Sequence, residues 1–190
     1  MPLLPPVPPD AEARELRETL RRRIDFLRGD FTLASGKKSD FYINGKTTTL
    51  RPDALYAAAR LMLASMAPER PDRAGGMTLG ADALTGALTA LSHLTGQGLE
   101  GFIVRKEPKG HGTGQWMEGP PLAPGARVAV VEDVVTTGKS ALEAVDRIRQ
   151  ERPEAVVLGV WALVDRLDGG AEALRAAGLP LRALFTKEEL

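Results

Sequence analysis

The chain has 190 residues, with 25 Lys plus Arg against 25 Asp plus Glu, and it contains no cysteine. That length suits one domain with a real core, the zero net charge advertises no nucleic-acid or anionic-membrane partner, and the missing thiols exclude disulfides and thiolate metal sites. Two histidines, His93 and His111, are too few for a structural zinc site; with no membrane-length apolar run and no signal-peptide core, a cytoplasmic protein is expected.

Residues 1–9 are mostly proline and read as an extended tail. Asp10 is a plausible N-cap, after which Leu16, Leu20, Ile24 and Leu27 recur at helical spacing until Gly29 stops the pattern. The run Arg21-Arg22-Arg23 reads as a solvated face of that helix. Phe31-Thr32-Leu33 and Phe41-Tyr42-Ile43-Asn44 are strand-like pieces around a turn at Ser35–Asp40, a small hairpin outside the main sheet. Pro52 suits a helix start, and Leu55, Ala59, Met62 and Met66 form one apolar stripe. Residues 68–76 read as a polar connection, Met77-Thr78-Leu79 as a short strand, and Gly80–Gly86 as a glycine loop opening a helix with Leu84, Leu88, Leu91 and Leu94 on one face. His93, within that helix, reads as structural.

Gly101–Val104 is the next strand. Arg105-Lys106-Glu107-Pro108-Lys109-Gly110-His111-Gly112-Thr113-Gly114-Gln115 then carries cations and glycines with no apolar period, so neither helix nor strand holds it. A basic loop of that length inside a compact domain suits a lid that closes over a polyanion.

The richest stretch is Arg127–Ser140, RVAVVEDVVTTGKS. Val128–Val131 reads as a buried parallel strand, with Glu132 and Asp133 at its carboxyl end, where open α/β sheets place their ligands. Thr136, Thr137, Gly138, Lys139 and Ser140 follow, leading into a helix that turns Ala141, Leu142, Val145 and Ile148 inward. Hydroxyls, free N–H groups and a helix N-terminus bind anions, while the adjacent carboxylates accept bonds from vicinal hydroxyls. A ribose 5-phosphate has both ends. A P-loop is excluded, because the first glycine it needs would stand where Asp133 does. Ala155–Val164 is a long strand ending in Asp165-Arg166, followed by a short helix, Gly170–Ala177, and a last strand, Leu181–Phe185. Strands alternating with helices indicate a mostly parallel sheet flanked by helices, with three strand ends near Gly80, Glu132 and Arg166 converging on one edge.

E-D-V-V-T-T-G-K-S resembles the phosphoribosyl pyrophosphate (PRPP) signature of type I phosphoribosyltransferases. R-K-E-x-K-x-H-G and F-T-L-x-S-G-K-K-S-x-F-Y-I-N resemble the lid and N-terminal segment of the orotate phosphoribosyltransferase family. The resemblance implies a type I phosphoribosyltransferase fold over residues 1–190, with a hood at residues 31–50 and a flexible lid at 105–117. It places Glu132, Asp133, Val134, Val135, Thr136, Thr137, Gly138, Lys139 and Ser140 on PRPP, together with Arg105, Lys106, Lys109 and His111 of the lid. Tyr42, Ile43, Thr136 and Arg166 fall on orotate. Lys109, His111 and Asp133 are the catalytic candidates; Lys109 and His111 remain unranked as proton donors. A lysine that some relatives carry is Ala34 here, with Lys37, Lys38 or Lys46 as candidate substitutes. The implied reaction gives orotidine 5′-monophosphate and pyrophosphate, with Mg²⁺ on PRPP oxygens and water rather than on protein ligands, in a homodimer whose lid reaches the neighbouring subunit. A purine phosphoribosyltransferase would share the signature without this lid, and a regulatory protein on the same fold would bind PRPP without turnover.

Overall fold

The computed structural model describes residues 2–32, 38–108 and 115–190. Its elements are α1 (Asp10–Arg23), β1 (Asp25–Thr32), β2 (Lys38–Asn44), α2 (Gly45–Thr49), α3 (Pro52–Met66), β3 (Arg73–Met77), α4 (Asp82–Leu94) and β4 (Glu100–Val104). Then come β5 (Met117–Glu118), β6 (Arg127–Val135), α5 (Lys139–Glu151), β7 (Val156–Asp165), α6 (Gly170–Ala176), β8 (Leu181–Thr186) and a 3-10 turn, Lys187–Glu189.

Six strands form one sheet in the order β5-β4-β3-β6-β7-β8, and β1 pairs with β2 in a separate antiparallel sheet. All pairings in the large sheet are parallel except β4 with β5. Parallel pairing puts the carboxyl ends of β3, β4, β6 and β7 on one edge. Period-2 alternation then sorts each strand's side chains between two cores. Ala129 and Val131 of β6 join Leu20, Met62 and Leu88 from α1, α3 and α4, while Val128 and Val130 join Val145, Ile148 and Leu174 from α5 and α6. Leu84 and Leu88 are fully buried, each contributing roughly 1.5–3 kcal/mol of apolar transfer. Helices on both faces of a mostly parallel sheet are the architecture that the alternating pattern predicts.

Several boundaries differ from the sequence expectation. The first helix ends at Arg23, and Leu27 lies in β1, not on the helix. Antiparallel pairing from Asp25↔Asn44 onward, and the bond from Asp25 N–H to Thr48 Oγ1 at 3.1 Å, outweigh the helical spacing that runs on to Gly29. Asp10 is the first helical residue and Pro9 flanks it, so Asp10 favours the helix through its charge in the first turn. Of the turn expected at Ser35–Asp40, Lys38–Asp40 belong to β2; 33–37 lie outside the described residues. The strand expected at Met77–Leu79 is Arg73–Met77. Gly75 and Gly76 resemble loop residues in sequence, yet a Cβ on either would collide with the carbonyl of Phe102 on β4 or Val131 on β6. They are glycines because the strands approach there.

The proline tail does not float. Leu3 and Leu4 donate backbone bonds to Leu94 O, Pro8 is buried, and Arg60, wholly buried in α3, donates to Pro5 O at 2.9 Å and pairs with Glu12 at 3.2 Å. Arg21, Arg22 and Arg23 are exposed, as a solvated face requires.

Candidate active site

β6 runs to Val135, four residues past Val131, so Glu132 and Asp133 lie within the strand instead of at its end. Successive strand residues point to opposite faces. Glu132 accepts a bond from Ser140 Oγ at 2.6 Å, while Asp133 lies against Gly45 at the start of α2, where a Cβ would overlap its carboxylate. Both carboxylates reach the glycine loop after β3: a Cβ on Gly80 would stand 2.8 Å from Asp133 Oδ1 and 2.9 Å from Glu132 Oε1. In that loop the Thr78–Leu79 peptide is cis and Thr78 Oγ1 donates to Asp82 Oδ2 at 2.7 Å. Burial, then the neighbouring Asp133 charge, pushes Glu132 up to about 8, against the bond from Ser140 that favours its anion. Glu132 therefore holds its proton more tightly than an ordinary carboxyl group does.

Thr136, Thr137 and Gly138 join β6 to α5. Gly138 has φ 77° and faces Gly170, the first residue of α6, whose own Cβ would collide with Val135 and Thr136. Two glycines thus let the turn lie flat beneath α6, and the left-handed step at Gly138 aims the first N–H groups of α5 at the sheet edge. The helix begins at Lys139, two residues before Ala141, where its apolar pattern starts.

Arg166 follows β7. It is 3% exposed; its backbone N–H donates to Val135 O at 2.9 Å and its Nε to Asp168 Oδ2 at 3.0 Å. The guanidinium lies 4.3 Å from the Phe41 ring centroid and donates from Nη2 to Ser39 Oγ at 3.2 Å. Phe41 in turn stacks on Phe26 at 5.2 Å and 6°. Leu167, at φ 55°, turns the chain away immediately afterwards. One arginine thus ties the β1–β2 sheet to the large sheet.

These pieces surround one cavity of about 750 Å³, whose wall includes Tyr42, Ile43, Lys106, Asp133, Val134, the turn Thr136–Ser140 and Arg166. A second chamber of about 720 Å³ shares Thr136, Thr137 and Arg166 and extends beneath Phe41 to Asp168 and Lys187. Four separate sequence positions have become one site.

Family profiles give no match to the chain. Individual proteins do. The orotate phosphoribosyltransferase of Thermosynechococcus vestitus is 49% identical over 180 residues, 95% of this chain and 94% of the relative. The chain belongs to the orotate phosphoribosyltransferase family. Its fold is the type I phosphoribosyltransferase fold: the Mycobacterium tuberculosis H37Rv orotate phosphoribosyltransferase in complex with Fe(III) dicitrate superposes with a TM-score of 0.77 at 38% identity, covering 94% of this chain and 98% of that one. The same mycobacterial enzyme in complex with PRPP gives 0.73 at 36% identity, with 94% and 98% covered.

Within this orotate phosphoribosyltransferase fold the sequence-derived site residues are placed unevenly. Glu132 is buried against Ser140 whereas Asp133 lines the cavity, and Val135 is 1% exposed, packed in the core with α5. Arg105 stands at the loop base, paired with Glu118 at 3.3 Å, whereas its neighbour Lys106 lines the cavity. Lys109 and His111 lie outside the described residues, as do Ala34 and Lys37. Of the substitutes for a lysine at Ala34, Lys46 lines the main cavity and Lys38 the second chamber. Sequence reasoning missed Gly45, Phe41, Asp168 and Lys187. The acidic residue two places after Arg166 was a readable signal for Asp168. Nothing local marked Lys187, which pairs with Asp168 at 3.5 Å and lies 5.5 Å from the Phe41 ring.

Proposed function

We propose that the chain transfers the phosphoribosyl group of PRPP to orotate, giving orotidine 5′-monophosphate and pyrophosphate in cytoplasmic pyrimidine biosynthesis. The observation that carries this reading is the meeting of a carboxylate pair, an anion-binding turn and a buried arginine around one cavity, in a chain of this family.

The reaction places positive charge on the ribose carbon and negative charge on the departing pyrophosphate. Asp133 and Glu132 hold the ribose hydroxyls, and Asp133, the more exposed to the cavity, favours the developing cation. The N–H groups and hydroxyls of Thr136, Thr137, Gly138, Lys139 and Ser140 hold the 5′-phosphate. Arg166 presents its planar donors to the orotate carboxylate, with Tyr42, Ile43 and Thr136 shaping the base site. Arg105 and Lys106 act on the pyrophosphate with Lys109 and His111, either of which can deliver a proton. Orotate's ring nitrogen is already acidic, so no strong protein base is required.

Among the described residues no group of three or more His, Asp or Glu side chains is placed to hold a metal ion. The oxygens on the cavity wall, Asp133 and the threonine hydroxyls, fit an ion that arrives with most of its ligands from diphosphate and water. Mg²⁺ bound that way would neutralise charge on the leaving group. We further propose a homodimer in which the 105–117 lid is shared across subunits and residues 31–50 form a hood over the base, within a single domain spanning residues 1–190. We expect neither a nucleic-acid nor a membrane partner, on the ground of the zero net charge.

The test is loss of orotate absorbance with PRPP and Mg²⁺, run beside adenine, hypoxanthine and uracil. Consumption of orotate alone is expected. Turnover of another base would break the roles given to Tyr42 and Arg166, and PRPP binding without turnover would make the protein a sensor.

A further inference from the structure

Trp116 lies on the return limb of the 105–117 loop and is held at two points by α5. Arg147 lies over its ring, 3.6 Å from the centroid, and its backbone N–H donates to the Glu151 carboxylate. Arg147 and Glu151 are four residues apart, hence on one helix face, and grip the same residue by side chain and by main chain. Trp116 O in turn accepts the backbone N–H of Arg105 at 2.8 Å, extending the ladder Ile103↔Glu118 and Val104↔Met117 by one rung. The next residue is Lys106, which lines the main cavity.

The other end of α5 is the turn Gly138–Ser140. Seven residues of helix, about 10 Å, separate Ser140 from Arg147. One rigid element therefore carries the phosphate turn at its start and the loop anchor two turns later. The helix is fixed to the sheet by Ala144, Val145 and Ile148, all fully buried or nearly so.

We propose that Trp116, clamped by Arg147 and Glu151, is a positioning residue: it sets Lys106 at a fixed distance from the phosphate turn, so that both ends of PRPP are measured against α5. The inference rests on the phosphoribosyl reading of the cavity. Neither Arg147 nor Trp116 touches the cavity itself, so an effect on turnover must pass through the loop they anchor, in which Lys106 is the described residue that lines the cavity.

A double-mutant cycle tests it. Arg147→Met keeps much of the side-chain volume and removes the charge; it is expected to lower kcat/KM for PRPP about five- to tenfold, within the range of a partly desolvated cation–π contact. Arg147→Lys, which keeps a cation over the ring, should recover most of that loss, and the thermal midpoint should move by less than about 3 °C in both. In a Lys106→Met background, Arg147→Met should cost less than about twofold, because the residue it positions is gone. The anchor is overturned if Arg147→Met is silent in the active parent, or if its full factor persists without Lys106. A parent enzyme that fails to consume orotate would instead overturn the reading beneath it.

Discussion

The carboxylate corner and the aromatic corner of the site are built by different means. At the first, Glu132 and Asp133 sit inside a central strand with Gly45 and Gly80 pressed against them, so the backbone of three elements fixes their position. At the second, Arg166 is held by a stacked pair, Phe26 and Phe41, from a two-stranded sheet whose strands pair with none of the described strands of the large one. Backbone contact leaves no room for adjustment. Side-chain stacking does, and a sheet of two strands is marginal alone. The carboxylate corner should therefore fail abruptly on substitution, and the aromatic corner gradually.

The largest effect is expected from Gly45→Ala. Its new methyl occupies the space of the Asp133 carboxylate, which must move, and displacement on the ångström scale costs about 100-fold in kcat/KM. Initial rates of orotate consumption, with circular dichroism to confirm folding, measure it; near-parental turnover would show that Asp133 needs no fixed position. Arg166→Met comes next. It removes a buried guanidinium and leaves Asp168 facing Lys187 alone, so KM for orotate should rise about twentyfold with a smaller change for PRPP. Arg166→Lys should not rescue, since a point charge lacks the planar fork. An unchanged KM for orotate would remove Arg166 from the base site.

The carboxylate corner also carries a pH signature. The folded chain raises Glu132 from 4.5 to about 8, through burial first and Asp133 second. Between those values the folded state keeps a proton that the unfolded chain releases, so this group's contribution to stability falls as pH rises from about 4.5 to about 8 and is level beyond. Glu132→Gln cannot ionise. It should match the parent near pH 5 and exceed it at pH 9 by on the order of 4 kcal/mol, a shift of about 8–16 °C in thermal midpoint. A difference that stays constant across that range would mean Glu132 is already ionised in the fold at low pH.

How far each corner was readable in the sequence follows the same division. Glu132, Asp133 and the turn after them form one contiguous stretch, and their chemistry sat on the page in order. The parallel sheet and the helices bearing the stripes Leu55–Met66, Leu84–Leu94 and Ala141–Ile148 followed from period, although α4 begins at Asp82, inside the stretch that reads as a glycine loop, and α5 at Lys139. What local pattern did not carry was proximity between distant segments. Gly45 became visible only once α2 lay on β6, and β3 was misplaced because Gly75 and Gly76 answer to neighbouring carbonyls, not to strand propensity. The first helix ran too long because Leu27 kept its spacing while pairing with Tyr42 on β2. Lys187, more than twenty residues beyond Arg166, reaches the second chamber only through the return of β8.

The smallest and most selective effect should come from Phe41→Leu. The substitution keeps an apolar residue on β2 but removes the flat face between Phe26 and Arg166, forfeiting about 0.5–1.5 kcal/mol of ring stacking and a similar cation–π increment. Phe41 belongs to the small sheet, so that loss should loosen the small sheet without unfolding the large one, local opening being cheaper than global. KM for orotate should rise about three- to fivefold while the thermal midpoint falls by less than about 2 °C. Amide exchange should quicken in residues 25–32 and 38–44 and stay unchanged in β6 and β7. Faster exchange through β6 would mean that the two corners unfold as one unit, and the contrast in tolerance between them would disappear.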